Sequence, residues 1–173
     1  MAGVRRLYLL RHAKSSWDDL GLEDDERPLA PRGEKAARRI GRHLRDIGVQ
    51  PEQVLCSPAV RARQTLDHVR PFLEPKVEIQ FDPAIYGAGE DQLLARLRQV
   101  PSTVRSVMLI GHNPGLQDLA LTLVDEADLG YARLVERFPT AAIAALVLPI
   151  ESWGDLAPGK ARLDHFVLPR ELS

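Results

Sequence analysis

The sequence predicts an α/β protein, a three-layer α/β/α sandwich around a mostly parallel central sheet, folded as a single domain over residues 1–173. Three observations lead there. Apolar segments of strand length alternate with helical segments of about 10 to 15 residues, the pattern of successive βαβ units. Two of the strand segments, 5–11 and 104–110, read as continuously apolar rather than alternating, as in strands buried on both faces of a parallel sheet. The length, with 45% apolar residues, suits one domain with a substantial core.

The first strand, 5–11, is followed by His12 and a long connection from Ala13 to about Arg32. Long connections in compact domains are more often functional than idle. This one carries Asp18, Asp19, Glu23, Asp24, Asp25 and Glu26, an acidic run that reads as a solvated flap, with partner recognition as the sharper alternative. A helix is predicted over 33–47, where Ala37, Ile40, Leu44 and Ile47 recur at helical spacing and Gly48 provides the stop. Its basic positions, Lys35, Arg38, Arg39, Arg42 and Arg45, read as a wet helix face, because no interleaved aromatics or positive net charge support nucleic-acid contact.

Residues 53–56 form a short second strand, and Ser57-Pro58 then reads as an N-cap followed by a first-turn proline, opening a helix to about Val69 that Pro71 closes. A third strand covers 77–81, and a helix from about Glu90 to Gln99 turns Leu93, Leu94 and Leu97 inward. The strand at 104–110 ends in Gly111-His112-Asn113-Pro114-Gly115, where Asn113 and Pro114 repeat the pairing of cap and proline and start a helix to about Val124. Segments 141–148 and 161–167 are the last strands, predicted as an antiparallel pair at the edge of the sheet.

Lys+Arg (23) and Asp+Glu (24) nearly cancel, so the totals predict neither a nucleic-acid nor a membrane partner, and any anion site must be local. The single Cys56 excludes an internal disulfide and a cysteine zinc cluster, and fits a reducing, cytoplasmic compartment. The apolar run after Arg5 and Arg6 is too short for a secretory leader, and no segment is long enough to span a bilayer.

Open α/β sheets bind ligands beyond the carboxyl ends of their strands. Arg11 with His12, Ser57 with Arg61, and Gly111 with His112 all fall at such ends. The two helix starts add backbone N–H groups there. The set predicts an anion site, with phosphate the leading ligand. Guanidiniums offer rigid bidentate donors whose charge persists at neutral pH, while a neutral histidine nitrogen is a nucleophile. Two histidines facing one phosphate divide the work, one attacking phosphorus and one supplying a hydrogen bond or proton. His43, His68 and His165 lack this setting and read as surface or core-edge residues. No His-Glu pair at helical spacing accompanies His12 or His112, so no metal is expected. Lys14, Ser15 and Ser16 are candidate phosphate contacts just past His12, with a water-facing loop as the alternative, and Asn113 is a further substrate-binding candidate. Trp17 is a candidate loop anchor or contact for a protein substrate.

These residues resemble the histidine phosphatase superfamily, and within it the small SixA-like phosphohistidine phosphatases. The matching stretches are Leu9-Leu10-Arg11-His12, Arg27-Pro28-Leu29 with Arg32-Gly33, Ser57-Pro58 with Arg61-Ala62 and Gln64-Thr65, Gly111-His112-Asn113-Pro114, and Phe138-Pro139-Thr140-Ala141-Ala142-Ile143-Ala144. Their order and spacing carry the resemblance across residues 7 to about 148. It implies a phosphoglycerate mutase-like fold, His12 as a nucleophile forming a covalent phosphohistidine, and Arg11, Arg61 and His112 cradling the phosphoryl group. It implies no cofactor or metal. Arg61, rather than Arg63, occupies the position of the family arginine.

Two departures stand out. Position 13 is Ala where the family usually has Gly, and Pro83 stands where larger members carry a glutamate acid before a Tyr-Gly, here Tyr86-Gly87. A positioned acid is typically worth about 10² to 10⁴ in rate. Its absence favours an imidazole leaving group, and hence a phosphohistidine-carrying protein domain as substrate. The alternatives are a phosphatase of small phosphorylated metabolites, with Asp82 as proton donor, and a non-catalytic phosphate or phosphoprotein-binding domain.

Overall fold

The computed structural model describes residues 3–172. Strands β1 (Arg5–Arg11), β2 (Gln53–Cys56), β3 (Glu78–Phe81), β4 (Ser106–Gly111), β5 (Ile143–Leu148) and β6 (Arg162–Val167) form one sheet in the order β3-β2-β4-β1-β5-β6. β3, β2, β4 and β1 are parallel neighbours, β5 runs antiparallel to β1, and β6 antiparallel to β5. The predicted three-layer sandwich with a mostly parallel sheet, and the antiparallel final pair, are what forms.

From β1 the chain steps outward to β2 and β3, then returns to insert β4 beside β1. Right-handed crossovers put the helices of the outward steps on one face and that of the return step on the other. Accordingly α1 (Pro31–Asp46) and α2 (Val60–Val69) cover one face, while α3 (Glu90–Arg98), α4 (Gly115–Leu123) and α5 (Tyr131–Glu136) cover the second. Strand alternation divides the core: Leu7, Leu9, Val107 and Leu109 pack on the α3–α5 side, and Tyr8, Leu10, Met108 and Ile110 on the α1–α2 side. The reversal of direction falls between β1 and β4, whose carboxyl ends lie side by side with Arg11 paired to Gly111. No helix among the described residues is long and apolar enough to cross a membrane.

Several local expectations are corrected. α1 starts at Pro31, two residues early, because proline suits the first turn. Ser57 does not cap α2; the helix starts at Val60, and the Ser57 hydroxyl instead accepts the Ala59 N–H at 3.2 Å. Pro114 precedes α4 rather than opening it, while the Asn113 side chain accepts the Gln117 N–H at 3.2 Å and so caps from one residue further back. β5 begins at Ile143 rather than 141, because Ala141 takes a left-handed φ of 61° and its N–H bonds the carbonyls of both Arg11 and His12. The short α5, with Leu134 its one buried residue, escaped the sequence reading. The connection at 13–32 is not a structureless flap: Ser15 bridges Leu29, a 3-10 turn spans Asp24–Glu26, and Arg27 is buried.

Two close backbone approaches set this geometry. A Cβ on Gly33 would stand 2.1 Å from the Lys14 carbonyl oxygen, and one on Gly115 would stand 2.2 Å from that of Ala88. Gly33 thus lets α1 press on the segment that follows His12. Gly33→Ala is expected to lower the unfolding free energy in urea by about 1–3 kcal/mol, whereas Gly154→Ala, at an exposed turn with room for a methyl, should stay within about 0.5 kcal/mol. Equal midpoints for the two variants would contradict the close-approach account.

Candidate active site

Three strand ends bring four side chains together. His12 leaves β1, Arg61 stands on the first turn of α2 after β2, His112 leaves β4, and Arg11 closes β1. His12 N–H bonds the Gly111 carbonyl at 3.0 Å, tying the two histidine-bearing segments to each other. The His12 and His112 rings lie 5.1 Å apart between centroids. His12 Nδ1 lies 2.8 Å from the Ala13 carbonyl oxygen and so carries the ring proton toward it, leaving Nε2 as the lone-pair nitrogen. That Nε2 faces Arg61 Nε, which donates at 3.4 Å. His112 Nε2 is 2.7 Å from the Ser57 hydroxyl, while its Nδ1 is buried without a protein partner. Arg11 donates from Nη1 to the Phe138 carbonyl at 3.0 Å, and its Nε is likewise buried and unpartnered.

Burial dominates the electrostatics. It pushes the His12 pKa from 6.5 down to about 3, against the Ala13 hydrogen bond, with His112, Arg61 and Arg11 adding to the depression. It also takes His112 down to about 4, helped by Arg61 and Arg11 and opposed by Asp24. Burial and then Arg61 lower Arg11 as well. At neutral pH the cluster therefore holds two neutral imidazoles and two guanidiniums. Such a set binds a multiply charged oxyanion and offers it a nitrogen nucleophile.

The sequence profile described as the histidine phosphatase superfamily (branch 1) matches residues 7–88. The uncharacterized protein Rv1276c of Mycobacterium tuberculosis (strain ATCC 25618 / H37Rv) is 37% identical over 164 residues, covering 93% of this chain and 100% of that one. The phosphohistidine phosphatase SixA of Escherichia coli (strain K12) is 29% identical over 145 residues, 83% of this chain and 85% of that one. The structure of SixA from Nakamurella multipartitia matches with a TM-score of 0.85 at 30% identity, over 97% of this chain and 98% of that one. The chain belongs to the histidine phosphatase superfamily. Its place is in the SixA-like branch, and its activity is that of a phosphatase of this superfamily.

Around the four residues, this SixA-like phosphatase carries a second layer that the sequence reading missed. Asp24, from the acidic run, does not simply face water. Its carboxylate takes the Arg61 guanidinium at 3.0 Å, the Arg27 guanidinium at 3.2 Å and the Tyr86 hydroxyl, and its carbonyl accepts Arg61 Nη1 at 2.7 Å. The Tyr86 hydroxyl, then Arg61 and Arg27, outweigh burial and hold the Asp24 carboxyl down to about 2. The same contact raises the Tyr86 hydroxyl above its ordinary value. Thr65, fully buried, accepts the Ala13 N–H at 2.9 Å and donates to the Arg61 carbonyl at 2.7 Å, locking the His12 segment to α2. No periodicity marks Asp24, whose partners lie 3, 37 and 62 residues away. Thr65 was legible only as part of the Gln64-Thr65 match.

The remaining candidates divide. Asn113 adjoins the cluster but acts on its frame, donating to the Phe138 carbonyl at 2.9 Å, the same oxygen that Arg11 engages. The Ser15 hydroxyl is taken by Arg27 at 2.7 Å and the Ser16 hydroxyl by the Asp18 N–H at 3.1 Å, so both serve the loop. Trp17 carries the Arg27 guanidinium over its ring at 3.6 Å, which is the loop-anchor arrangement. Lys14 is exposed and lines a separate groove with Arg32 and Arg39. Asp82 is bound by Arg96 and by the Ala84 N–H at 2.9 Å, on the α3 side, and touches none of the four. Burial would raise its carboxyl, but the Ala84 hydrogen bond and Arg96 leave it below the ordinary value. The Ala in place of glycine at position 13 needs no positive φ and is accommodated.

The two depressed histidines couple stability to pH. Folded His12 and His112 stay neutral down to about 3 and about 4, whereas unfolded histidines take up protons below 6.5. Between those values the unfolded chain binds more protons, so stability is full above 6.5 and is lost as pH falls, by up to about 1.4 kcal/mol per pH unit for each ring. Asp24 adds to the loss only below 3.8. Urea unfolding from neutral pH to about pH 5 should show this decline, and a His12→Asn, His112→Asn double variant should flatten it. A wild-type profile that is flat through this window would contradict the neutral, buried pair.

Proposed function

We propose that the chain hydrolyses protein phosphohistidine through a covalent phosphohistidine formed on His12. The observation that carries this reading is the His12 ring, neutral, with Nδ1 held by the Ala13 carbonyl at 2.8 Å and Nε2 turned toward Arg61. Nε2 attacks phosphorus, the substrate N–P bond breaks, and its electron pair passes to the substrate imidazole. Arg11, Arg61 and His112 stabilise the charge on the phosphoryl oxygens. The guanidiniums take the part that a metal ion plays in other phosphoryl-transfer sites, so the reading includes independence of metal. A substrate imidazole protonated on its far nitrogen leaves as a neutral molecule and needs no acid at the breaking bond. In the second step water attacks phosphorus and the His12 Nε2–P bond breaks. The ring, still carrying its Nδ1 proton, is again neutral, and the water protons end on phosphate or in solvent.

Among the described residues, neither carboxylate considered at this site, Asp24 or Asp82, is free to act as an acid, which supports this substrate over small phosphomonoesters. An ester releases an alkoxide, which needs a proton as the bond breaks. Asp24, the carboxylate that touches the cluster, is held ionised, and Asp82 is occupied by Arg96. The name of the Escherichia coli relative, a phosphohistidine phosphatase, points the same way. The cytoplasm, where phosphohistidine-carrying signalling and transfer domains operate, fits this reading.

Phosphate release from a phosphohistidine-carrying protein should continue undiminished in EDTA and fall by about 10⁴-fold or more in His12→Ala. Asp82→Asn should leave it nearly unchanged. Full activity in His12→Ala would refute the nucleophile, and faster turnover of a sugar phosphate than of the phosphohistidine protein would favour the ester reading.

A further inference from the structure

Beside the catalytic cluster runs a groove of about 340 Å³ whose charge is out of keeping with the rest of the molecule. Its walls carry Lys14, Arg32, Lys35, Arg39, Arg137 and Arg170. The whole chain has a formal net charge of −1, yet six of its 23 Lys and Arg residues line this groove and none of its 24 Asp and Glu residues does. Among the described residues, none of the six makes a side-chain ion pair or hydrogen bond. By contrast, Arg11, Arg27, Arg61, Arg96 and Arg133 are all engaged. Glu171, next to Arg170 in sequence, is turned to Arg133. Six cations without a side-chain ion pair, sharing one groove, make a local positive field that an anionic occupant would complement.

The groove adjoins the chemistry. Lys14 lies two residues past His12, and Pro139 and Thr140 directly follow Phe138, whose carbonyl holds Arg11. Arg32, Lys35 and Arg39 line it from α1, the helix that Gly33 brings against the Lys14 carbonyl. The floor is apolar, with Ala36, Pro139 and the buried Leu168. Cations over an apolar floor match a polypeptide that presents carboxylates alternating with aliphatic side chains. Inorganic polyphosphate has nothing to place on such a floor, and the lining holds no aromatic ring on which a nucleic-acid base would stack.

We propose that this groove docks an acidic, amphipathic segment of the protein substrate, holding it while the neighbouring phosphohistidine enters the His12 cluster. The proposal rests on the phosphohistidine-protein reading above, and its test separates the two. The binding arm uses a fluorescent, unphosphorylated peptide of alternating Glu and Leu, so it needs no turnover. Wild-type protein should bind it at low salt, lose it at high salt, and bind a Gln-for-Glu version at least about tenfold more weakly. Lys35→Gln, Arg39→Gln and Arg170→Gln, combined, should weaken the acidic peptide by about tenfold, with an unchanged melting temperature as the folding control. These three residues are outside the catalytic cluster.

The kinetic arm compares phosphohistidine peptides with acidic and neutral flanks. The acidic flank should lower KM in the wild type but not in the triple variant, while turnover of free phosphohistidine stays equal in both proteins. Equal binding of the acidic and neutral peptides, or binding of long-chain polyphosphate without binding of the acidic peptide, would overturn the docking proposal. Acidic-peptide binding by a protein that turns over no phosphohistidine peptide would instead retain the groove and refute the catalytic reading.

Discussion

His12 is closed on one side by the contact of Nδ1 with the Ala13 carbonyl, and because a neutral imidazole carries one proton, that contact makes Nε2 the nitrogen with the lone pair. The contacts around it fix that ring in place. Thr65 holds Ala13 from the α2 side, so the carbonyl that orients His12 is itself held. Gly111 accepts the His12 N–H from β4, and the Ala141 N–H, in the turn just before β5, bonds the His12 carbonyl. The His12 ring is thus held from three sides, and the phosphoryl transfer proposed for it is a reaction of positioning and charge.

The sheet topology explains why these anchors meet. Insertion of β4 beside β1 places two strand ends with histidines next to each other and sends the following chain to opposite faces of the sheet. The space between them is the crevice in which open α/β sheets bind ligands. Crowding four basic side chains there, His12 and Arg61 buried and Arg11 and His112 half-buried, has an electrostatic consequence: both histidines become hard to protonate, so the positive charge resides on guanidiniums that cannot lose it. Asp24 balances part of that charge and steadies Arg61 and Arg27 at once. The Arg61 guanidinium is thereby oriented by a carboxylate before any ligand arrives.

Much of this was legible in the sequence because strand ends are local signals. Leu7 to Leu10 and Val107 to Ile110 announce themselves as buried strands, and Arg11, His12 and His112 follow from where those strands stop. Arg61 came from the Ser57-Pro58 punctuation, although the proposed cap was wrong: Ser57 turns its hydroxyl to His112 and the helix starts later. Asp24 was hidden inside a run of similar carboxylates, all six of them exposed, and only tertiary folding gives it Arg61, Arg27 and Tyr86 as partners. Likewise Lys14, Ser15 and Ser16 follow His12 closely in sequence, yet the bridge between Ser15 and Leu29 turns them to three different tasks. The cations of α1 read as an ordinary wet face because half of their groove comes from residues over a hundred positions away.

The ring of His12 offers the most direct test of the account, through ¹⁵N NMR of its two nitrogens as pH is lowered from neutral. The structure requires a proton on Nδ1 and a lone pair on Nε2, with no protonation until well below the usual histidine range, near 3. A proton found on Nε2, or a ring that titrates near 6.5, would contradict it.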